Sequence, residues 1–476
     1  MTKVKLSSKI FFLLVGFSLC VGLKAQSTIN YDITFRVHYL QDTLVYIKGV
    51  YGDKDIVLDS MSMQKDSTFR FKKNGVHQGL AVFATKNINA FTFVLDKDSV
   101  FSIEVDPFWN FKIKGSREND IYFEYQKANS DIRSQERSIK QSLKAGGNKD
   151  SLSVVYRDAE RAYSSFVDNF YTTYPQNIMT IIVSMLKDPL IPKYFYKGDS
   201  IDMSKVDTFR HYFRIHYWDN FPFTDQRLIG TPYFFKKFNT YIDDITYPSK
   251  DSLFVSLKDY IAQAQKQTGV KNNEYVRFAV EYMIRANKNI PFSDREERFV
   301  CAVDLLDSSD YDVFLPSEIE QLRQMASKVR PLLPDNKFVN ITFNDLNGKS
   351  HSLYDQNHAF TVVYFFASSC HSCKVNIDVL EQFYASDKQK YDVEIFAVDL
   401  DNDLKNSINF AKERLFPWIV VKSTNDELKE KYGLDIPLTP DLYILDKDKK
   451  IINHTPVYKQ VAQTIENFVP LQTIHK

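Results

Sequence analysis

The sequence predicts a multidomain protein, with an N-terminal antiparallel β-sandwich, a helical middle region and a C-terminal α/β domain. Three observations carry that reading. Eight short segments of alternating polarity run from about residue 30 to 115; apolar residues then recur every three or four positions to about 331; from Leu332 onward, strand-like and helix-like stretches alternate. A chain of 476 residues, 44% of them hydrophobic, is long enough for about three domains with cores of their own. Its 14 glycines and 16 prolines are too few for a disordered or collagen-like chain. The 61 Lys and Arg residues nearly balance 60 Asp and Glu, which leaves no broad basic field for nucleic acid.

Residues 1–25 stand apart. Lys3, Lys5 and Lys9 precede an apolar run over residues 10–23, and the small Ala25 follows. That run has 14 residues, short of the roughly 20 that span a bilayer, so it reads as a signal peptide cleaved after Ala25. Lipid attachment at Cys20 is the alternative, and the bulky Leu19 before it argues against a processing site. Export changes how the remaining cysteines are read. Beyond the leader only Cys301, Cys370 and Cys373 occur, and a pair three positions apart closes almost no loop. Chemistry explains such a pair better than stapling.

In residues 26–116 the segments YDITFRV, DTLVYIKGV, DIVLDSM, TFRFKK, LAVFAT, AFTFVL, VFSIEV and NFKIKG are separated by polar or Gly/Asn-containing turns. Strands of that length each have one face to bury, and the many Phe and Tyr residues read as core and cross-strand partners. A carbohydrate-binding face is the other reading of those aromatics. GSREND, residues 115–120, ends this region and opens the next. Residues 117–331 form the helical domain, where NDIYFEYQKANSDIRSQERSIKQSLK, SLFVSLKDYIAQAQKQTG and PSEIEQLRQMASKVRPLLP each show one apolar stripe. Gly146 and Gly147 read as a helix break, and Pro189, Pro192, Pro222, Pro232 and Pro248 as connections. Cys301, in the apolar context FVCAV, reads as a buried core thiol.

Residues 332–476 form the third domain. VNITF and GKSHSL flank Asn347–Gly348 as a hairpin, and AFTVVYFFA, residues 359–367, is a strand covered on both faces. SSCHSCKVNIDVLEQFYA follows as loop and helix, then the strand DVEIFAVDL, the helix LKNSINFAKERL and the strand WIVV. TPDLYILD and KIINHT pair as strands, and YKQVAQTIENFV closes the domain as a helix.

Cys370 and Cys373 therefore fall where the buried strand turns into a helix. Unpaired backbone N–H groups and the helix dipole favour a thiolate there, and a two-residue spacer lets the second sulfur reach the first. A redox-active dithiol accounts for both the spacing and the placement. Cys370 is the exposed nucleophile and Cys373 the resolving thiol. His371 either favours the thiolate or is a solvent-facing spacer; Lys374 likewise exerts a weak electrostatic pull or is solvated. Half of a zinc site is the competing reading, and only His351, His358 and Cys301 could complete it, by accident of folding.

On these motifs the last 145 residues resemble thioredoxin-like domains, especially the exported TlpA/ResA-like thiol-disulfide oxidoreductases common in Bacteroidota. The resemblance implies a cis proline facing the dithiol, matched by Pro440 after Thr439, with the preceding backbone pairing to extended substrate. It also shows departures. Ser369 stands where relatives carry Trp, Tyr364 where a buried acid assists proton transfer, and KDKK, residues 447–450, replaces a glycine-containing turn. The first two regions resemble, more loosely, modules found ahead of such domains.

The expected function is an exported thiol-disulfide oxidoreductase that reduces or isomerises disulfides of envelope proteins. Its partners are cysteine-containing envelope substrates and a membrane or periplasmic thiol electron donor; no metal, flavin or nucleotide cofactor is expected, and no nucleic acid. Its expected location is the periplasm or cell envelope. The alternative is a noncatalytic envelope binding or assembly protein with a degenerate C-terminal domain. A peroxidase is the enzymatic competitor, but the chain lacks the sequence context that such an enzyme needs around its reactive cysteine.

Overall fold

The computed structural model describes residues 28–144, 161–285, 292–308, 314–454 and 461–474, except positions 39, 53, 163, 199, 248 and 272. The expected leader with Cys20, the expected break at Gly146–Gly147 and Pro248 lie outside the described residues. Two compact units result, one ending at Phe278 and one beginning at Ala279.

The first unit opens with eight strands, as the alternation predicts: β1 (Thr28–Val37), β2 (Leu44–Tyr51), β3 (Lys54–Ser62), β4 (Phe69–His77), β5 (Gly79–Ala84), β6 (Asn89–Leu95), β7 (Val100–Val105) and β8 (Phe111–Lys114). They form two four-stranded sheets, ordered β4-β1-β7-β8 and β3-β2-β5-β6. Pairing is antiparallel except between β1 and β7, which run parallel. β7 joins its sheet after an excursion through the other sheet rather than through a hairpin, which is the kind of connection a parallel pair requires. Alternate residues point inward: Tyr31, Ile33, Phe35 and Val37 of β1 are buried, and their neighbours are less so. Phe35, Phe83 and Phe91 meet in the middle, with centroids 5.0 Å apart for the stacked Phe83–Phe91 pair. Each buried ring contributes about 1.5–3 kcal/mol. These three rings are core residues, whereas Phe108 and Trp109, between β7 and β8, are exposed.

GSREND holds the change from strand to helix. β8 stops at Lys114, and α1 (Arg117–Lys144) begins two residues past Gly115. The Asn119 side chain is buried against β6, accepting from the Val94 N–H at 2.8 Å and donating to its carbonyl at 2.9 Å. It gives that edge of the strand the two bonds a neighbouring strand would have made. α2 (164–173), α3 (Ile178–Met185), the strand pair β9 (Tyr196–Lys197) and β10 (Ser200–Ile201), α4 (Val206–His216), α5 (Pro232–Thr240), α6 (Lys250–Thr268) and α7 (Glu274–Ile284) follow. Pro232 sits in the first turn of α5, where a missing N–H costs nothing. A nest of rings from Trp218, Phe223, Phe238 and Tyr260 fills the centre of these helices. Gly79 and Gly230 let two backbones touch; a Cβ on Gly79 would lie 2.7 Å from the Gly230 carbonyl oxygen.

The second unit contains α8 (Phe292–Asp307), α9 (Pro316–Val329), the hairpin β11 (Thr342–Asn344) with β12 (Ser350–Ser352), and a five-stranded sheet. That sheet has the order β15-β14-β13-β16-β17, from β13 (Phe360–Phe366), β14 (Val393–Asp399), β15 (Ile419–Lys422), β16 (Asp441–Asp446) and β17 (Ile451–His454). β13 is central, parallel to β14 and antiparallel to β16. All seven of its residues are buried, as its unbroken apolar run predicts. Phe360, Val362, Tyr364 and Phe366 face a core with Ile377, Leu380 and Ile465, contributed by α10 (His371–Tyr391) and α13 (Val461–Ile474). Val363 and Phe365 face the opposite core with Phe338, Ile341 and Tyr443. The period of two along one strand thus fills two layers. α11 (Leu404–Glu413) and α12 (Asn425–Tyr432) complete the unit. Cys301 is buried in α8.

Candidate active site

The site forms where β13 ends. A turn closes as the Cys370 N–H donates to the Ala367 carbonyl at 2.9 Å, and α10 starts at the next residue. Cys370 is the N-cap, with Sγ accepting from the Cys373 N–H at 3.2 Å. A sulfur in that position satisfies one of the helix's unpaired donors, and its negative charge is favoured by the rest. Cys370 and Cys373 form a disulfide with Cα atoms 5.3 Å apart. Cys373 is fully buried, whereas Cys370 is partly accessible.

Across from them, the Thr439–Pro440 peptide bond is cis. The Thr439 carbonyl oxygen lies 3.7 Å from Cys370 Sγ, so sequence-distant residues converge on the accessible sulfur. The sequence-predicted residues Cys370, Cys373, Thr439 and Pro440 are therefore together. His371 is exposed on the first turn of α10, and Ser372 Oγ is 3.2 Å from Cys370 Sγ. Lys374 lies over the Phe410 ring, 5.1 Å from its centroid. His351 and His358 are engaged elsewhere, with Asp345 at 3.1 Å and Asp392 at 2.8 Å.

The three departures from the family pattern have structural answers. Tyr364 is buried in β13, and its hydroxyl donates to the Cys373 carbonyl at 3.1 Å. Burial pushes its ionisation far above the ordinary phenol value, so Tyr364 keeps its proton and takes none from Cys373. Ser369 is held by its backbone, because its N–H donates to Asp401 Oδ2 at 2.7 Å. Next to it, Ser368 Oγ donates to Asp399 Oδ2 at 2.6 Å. Lys449 adopts the left-handed φ of 64° usually given to glycine. Its ammonium turns inward to donate to the Gln356 carbonyl at 2.6 Å and Thr361 Oγ1 at 3.0 Å, anchoring the turn.

Asp399 and Asp401 are the residues that sequence reasoning missed. Burial works against the Asp401 charge, but hydrogen bonds from Ser369, Asp403 and Asn406 outweigh it and hold the carboxyl below its ordinary range. Lys422 Nζ sits beside both acids, donating to the Asp399 carbonyl at 3.2 Å and the Asp401 carbonyl at 2.6 Å. The available signal was their position: two acids at the C-terminal end of the strand parallel to β13, where ligands and catalytic loops gather in α/β sheets.

Residues 333–467 match the Redoxin family, and residues 204–328 match a domain of unknown function, DUF5106. A curated relative, thiol-disulfide oxidoreductase ResA of Geobacillus thermodenitrificans, is 28% identical over 130 residues, covering 27% of this chain and 73% of that protein. Among solved structures, a thioredoxin-like protein from Bacteroides caccae aligns at 18% identity and a TM-score of 0.45, covering 59% of this chain and 98% of its own. A domain of a possible thiol-disulfide isomerase from Cytophaga hutchinsonii aligns at 24% identity and a TM-score of 0.28, covering 30% of this chain and 98% of its own.

Proposed function

We propose that this chain, a thiol-disulfide oxidoreductase with a TlpA/ResA-like thioredoxin fold in its C-terminal domain, reduces or isomerises disulfides of envelope proteins through Cys370 and Cys373. The observation that supports it most directly is the Cys370–Cys373 disulfide at the α10 N-terminus, its accessible sulfur beside the cis Thr439–Pro440 bond. In the reduced protein the Cys370 thiolate attacks one sulfur of a substrate disulfide. A mixed disulfide forms, and the other substrate sulfur leaves as a thiolate and takes up a proton. The Cys373 thiol then attacks Cys370 Sγ and, since Tyr364 takes no proton, passes its own to the departing substrate sulfur. The mixed disulfide breaks, the second substrate thiol leaves, and two electrons have passed from the dithiol to the substrate. A thiol donor in the membrane or periplasm restores the dithiol.

Export rests on the leader over residues 1–25; no helix among the described residues is long and apolar enough to cross a membrane. The proposal includes the division of the mature chain into domains at residues 26–116, 117–331 and 332–476.

The test is the equilibrium potential of the pair in the leader-free protein, measured in glutathione or dithiothreitol buffers by thiol-alkylation mass shifts. A value near about −270 mV marks a reductant and one near about −120 mV an oxidant. Cys370→Ser abolishes turnover, and Cys373→Ser accumulates mixed disulfides with substrate. A pair that neither forms nor reduces its disulfide would sink the redox reading. A second reading, ligand binding by the first unit, is favoured by a polar cavity of about 480 Å³ lined by Gln78, Asp96, Lys97, Gln176, Thr224 and Arg227. It predicts that partner binding survives when both cysteines are replaced by serine.

A further inference from the structure

The residue after the cis proline is an acid with an unusual partner. Asp441 begins β16, in register with Phe365 of β13, and its carboxylate accepts from His454 Nε2 at 2.6 Å. His454 ends β17, opposite Tyr443, and the two rings stack with centroids 4.0 Å apart and planes 10° from parallel. The other ring nitrogen, Nδ1, reaches Glu296 Oε2 at 2.7 Å. Glu296 belongs to α8, upstream of the Redoxin-matched residues 333–467. Both Glu296 and His454 are buried, at 5% and 4% exposure. A carboxylate facing each ring nitrogen favours the doubly protonated imidazolium. Burial opposes that charge, but Asp441 and Glu296 outweigh it and raise the His454 pKa well above the ordinary imidazole value.

This arrangement has a mechanical consequence. Asp441 is bonded directly to Pro440, and the Thr439 carbonyl on the other side of the cis bond is the group beside Cys370 Sγ. A charged clamp therefore holds one end of the short segment that faces the nucleophile. The far side of the clamp is a helix to which the family match does not extend.

We propose that His454 and Glu296 are positioning residues for the Thr439–Pro440 segment, holding through Asp441 the backbone on which an extended peptide disulfide docks. The proposal rests on the oxidoreductase reading above. Because the clamp acts on docking and not on the sulfurs, it affects a peptide disulfide and spares a small disulfide that needs no backbone contact.

The test uses the full leader-free chain, reduced beforehand, with two substrates: a synthetic disulfide-linked pair of extended octapeptides and the small aromatic disulfide 5,5′-dithiobis(2-nitrobenzoate). Glu296→Leu is expected to raise KM for the peptide disulfide about tenfold, with kcat and the small-disulfide rate each changed less than about twofold. Glu296→Asp, which keeps the charge, recovers most of the peptide KM. Glu296→Gln keeps the shape and so reports on the clamp even where leucine disturbs folding; its peptide KM falls between those of wild type and Glu296→Leu. Equal losses on both substrates, or an unchanged peptide KM in the leucine and glutamine variants, would overturn the proposal while leaving the oxidoreductase reading intact. A wild-type protein inactive on both disulfides would bring down that reading, and this proposal with it.

Discussion

Two buried cations, Lys237 of the first unit and His454 of the second, are surrounded in opposite ways. In the first unit Lys237 is 4% exposed, its ammonium 3.9 Å from the centroid of the Tyr217 ring and 5.7 Å from that of Trp218. Burial pushes its pKa down to about 8, with the Asp188 charge pulling weakly the other way. In the second unit His454 is just as buried, but it is bracketed by Asp441 and Glu296 and its pKa is raised. Aromatic faces tolerate a charge, whereas paired carboxylates demand one. The first cation reads as a core lysine whose stem fills space, and the second holds two other charges in place.

The largest effect that separates the two cases is substitution by an apolar residue of similar bulk. His454→Leu strands the buried Glu296 carboxylate and the half-buried Asp441 carboxylate and is expected to cost about 3–5 kcal/mol. Lys237→Met removes a charge held against its burial and is expected to be neutral or stabilising by about 1 kcal/mol. Urea melts of the two variants at pH 7 check both, and equal destabilisation would erase the contrast.

A smaller effect lies in the slope with pH. Lys237 has a folded pKa of about 8, below its unfolded value of about 10.4. Between those values the unfolded chain holds a proton that the folded chain does not, so the Lys237 contribution to stability rises with pH. His454 has a folded pKa above its unfolded value of about 6.5, so its contribution is complete below that pH and declines as pH rises toward the folded value. From pH 7 to 10 the wild-type protein should therefore lose ground to His454→Gln and gain on Lys237→Met, as read by paired melting curves.

The smallest expected effect bears on the carboxylates beside the dithiol. Asp401→Asn keeps a hydrogen bond to the Ser369 N–H but removes a negative charge near Cys370. It is expected to cost about 1 kcal/mol of stability and to raise the potential of the pair by about 20 mV, measured in the same thiol buffers. A fall in potential would mean that the charge acts through loop geometry instead.

Much of this architecture is legible in the sequence because it rests on local period. The alternation in YDITFRV and its neighbours places all eight strands of the sandwich, and the unbroken AFTVVYFFA run identifies the central strand β13. Chemistry confined to adjacent positions is legible too, which is why Cys370 and Cys373 stand out. Pairings across long separations are not. Nothing in the period of β1 or β7 reveals that they run parallel, and α12 (Asn425–Tyr432) is short, charged and buried chiefly at Leu428. The His454–Glu296 bond joins residues 158 positions apart, and each reads alone as an ordinary polar residue in an amphipathic segment. Asp399 and Asp401 resemble solvated acids until the adjoining loop is seen folded over them. The cis state of Thr439–Pro440 came from the family resemblance and not from the residues themselves, since X–Pro bonds favour trans.

The unequal burial of the two site sulfurs governs how thiols in this chain are counted. Of the three cysteines after residue 25, Cys301 and Cys373 are fully buried and Cys370 is partly accessible. A maleimide added to the reduced, folded protein therefore meets one sulfur and registers one equivalent; the other two respond only when the chain opens. Labelling stoichiometry is then a gauge of local opening as well as of oxidation state, and a titration that stops at one equivalent describes a fully reduced protein, not a partly oxidised one.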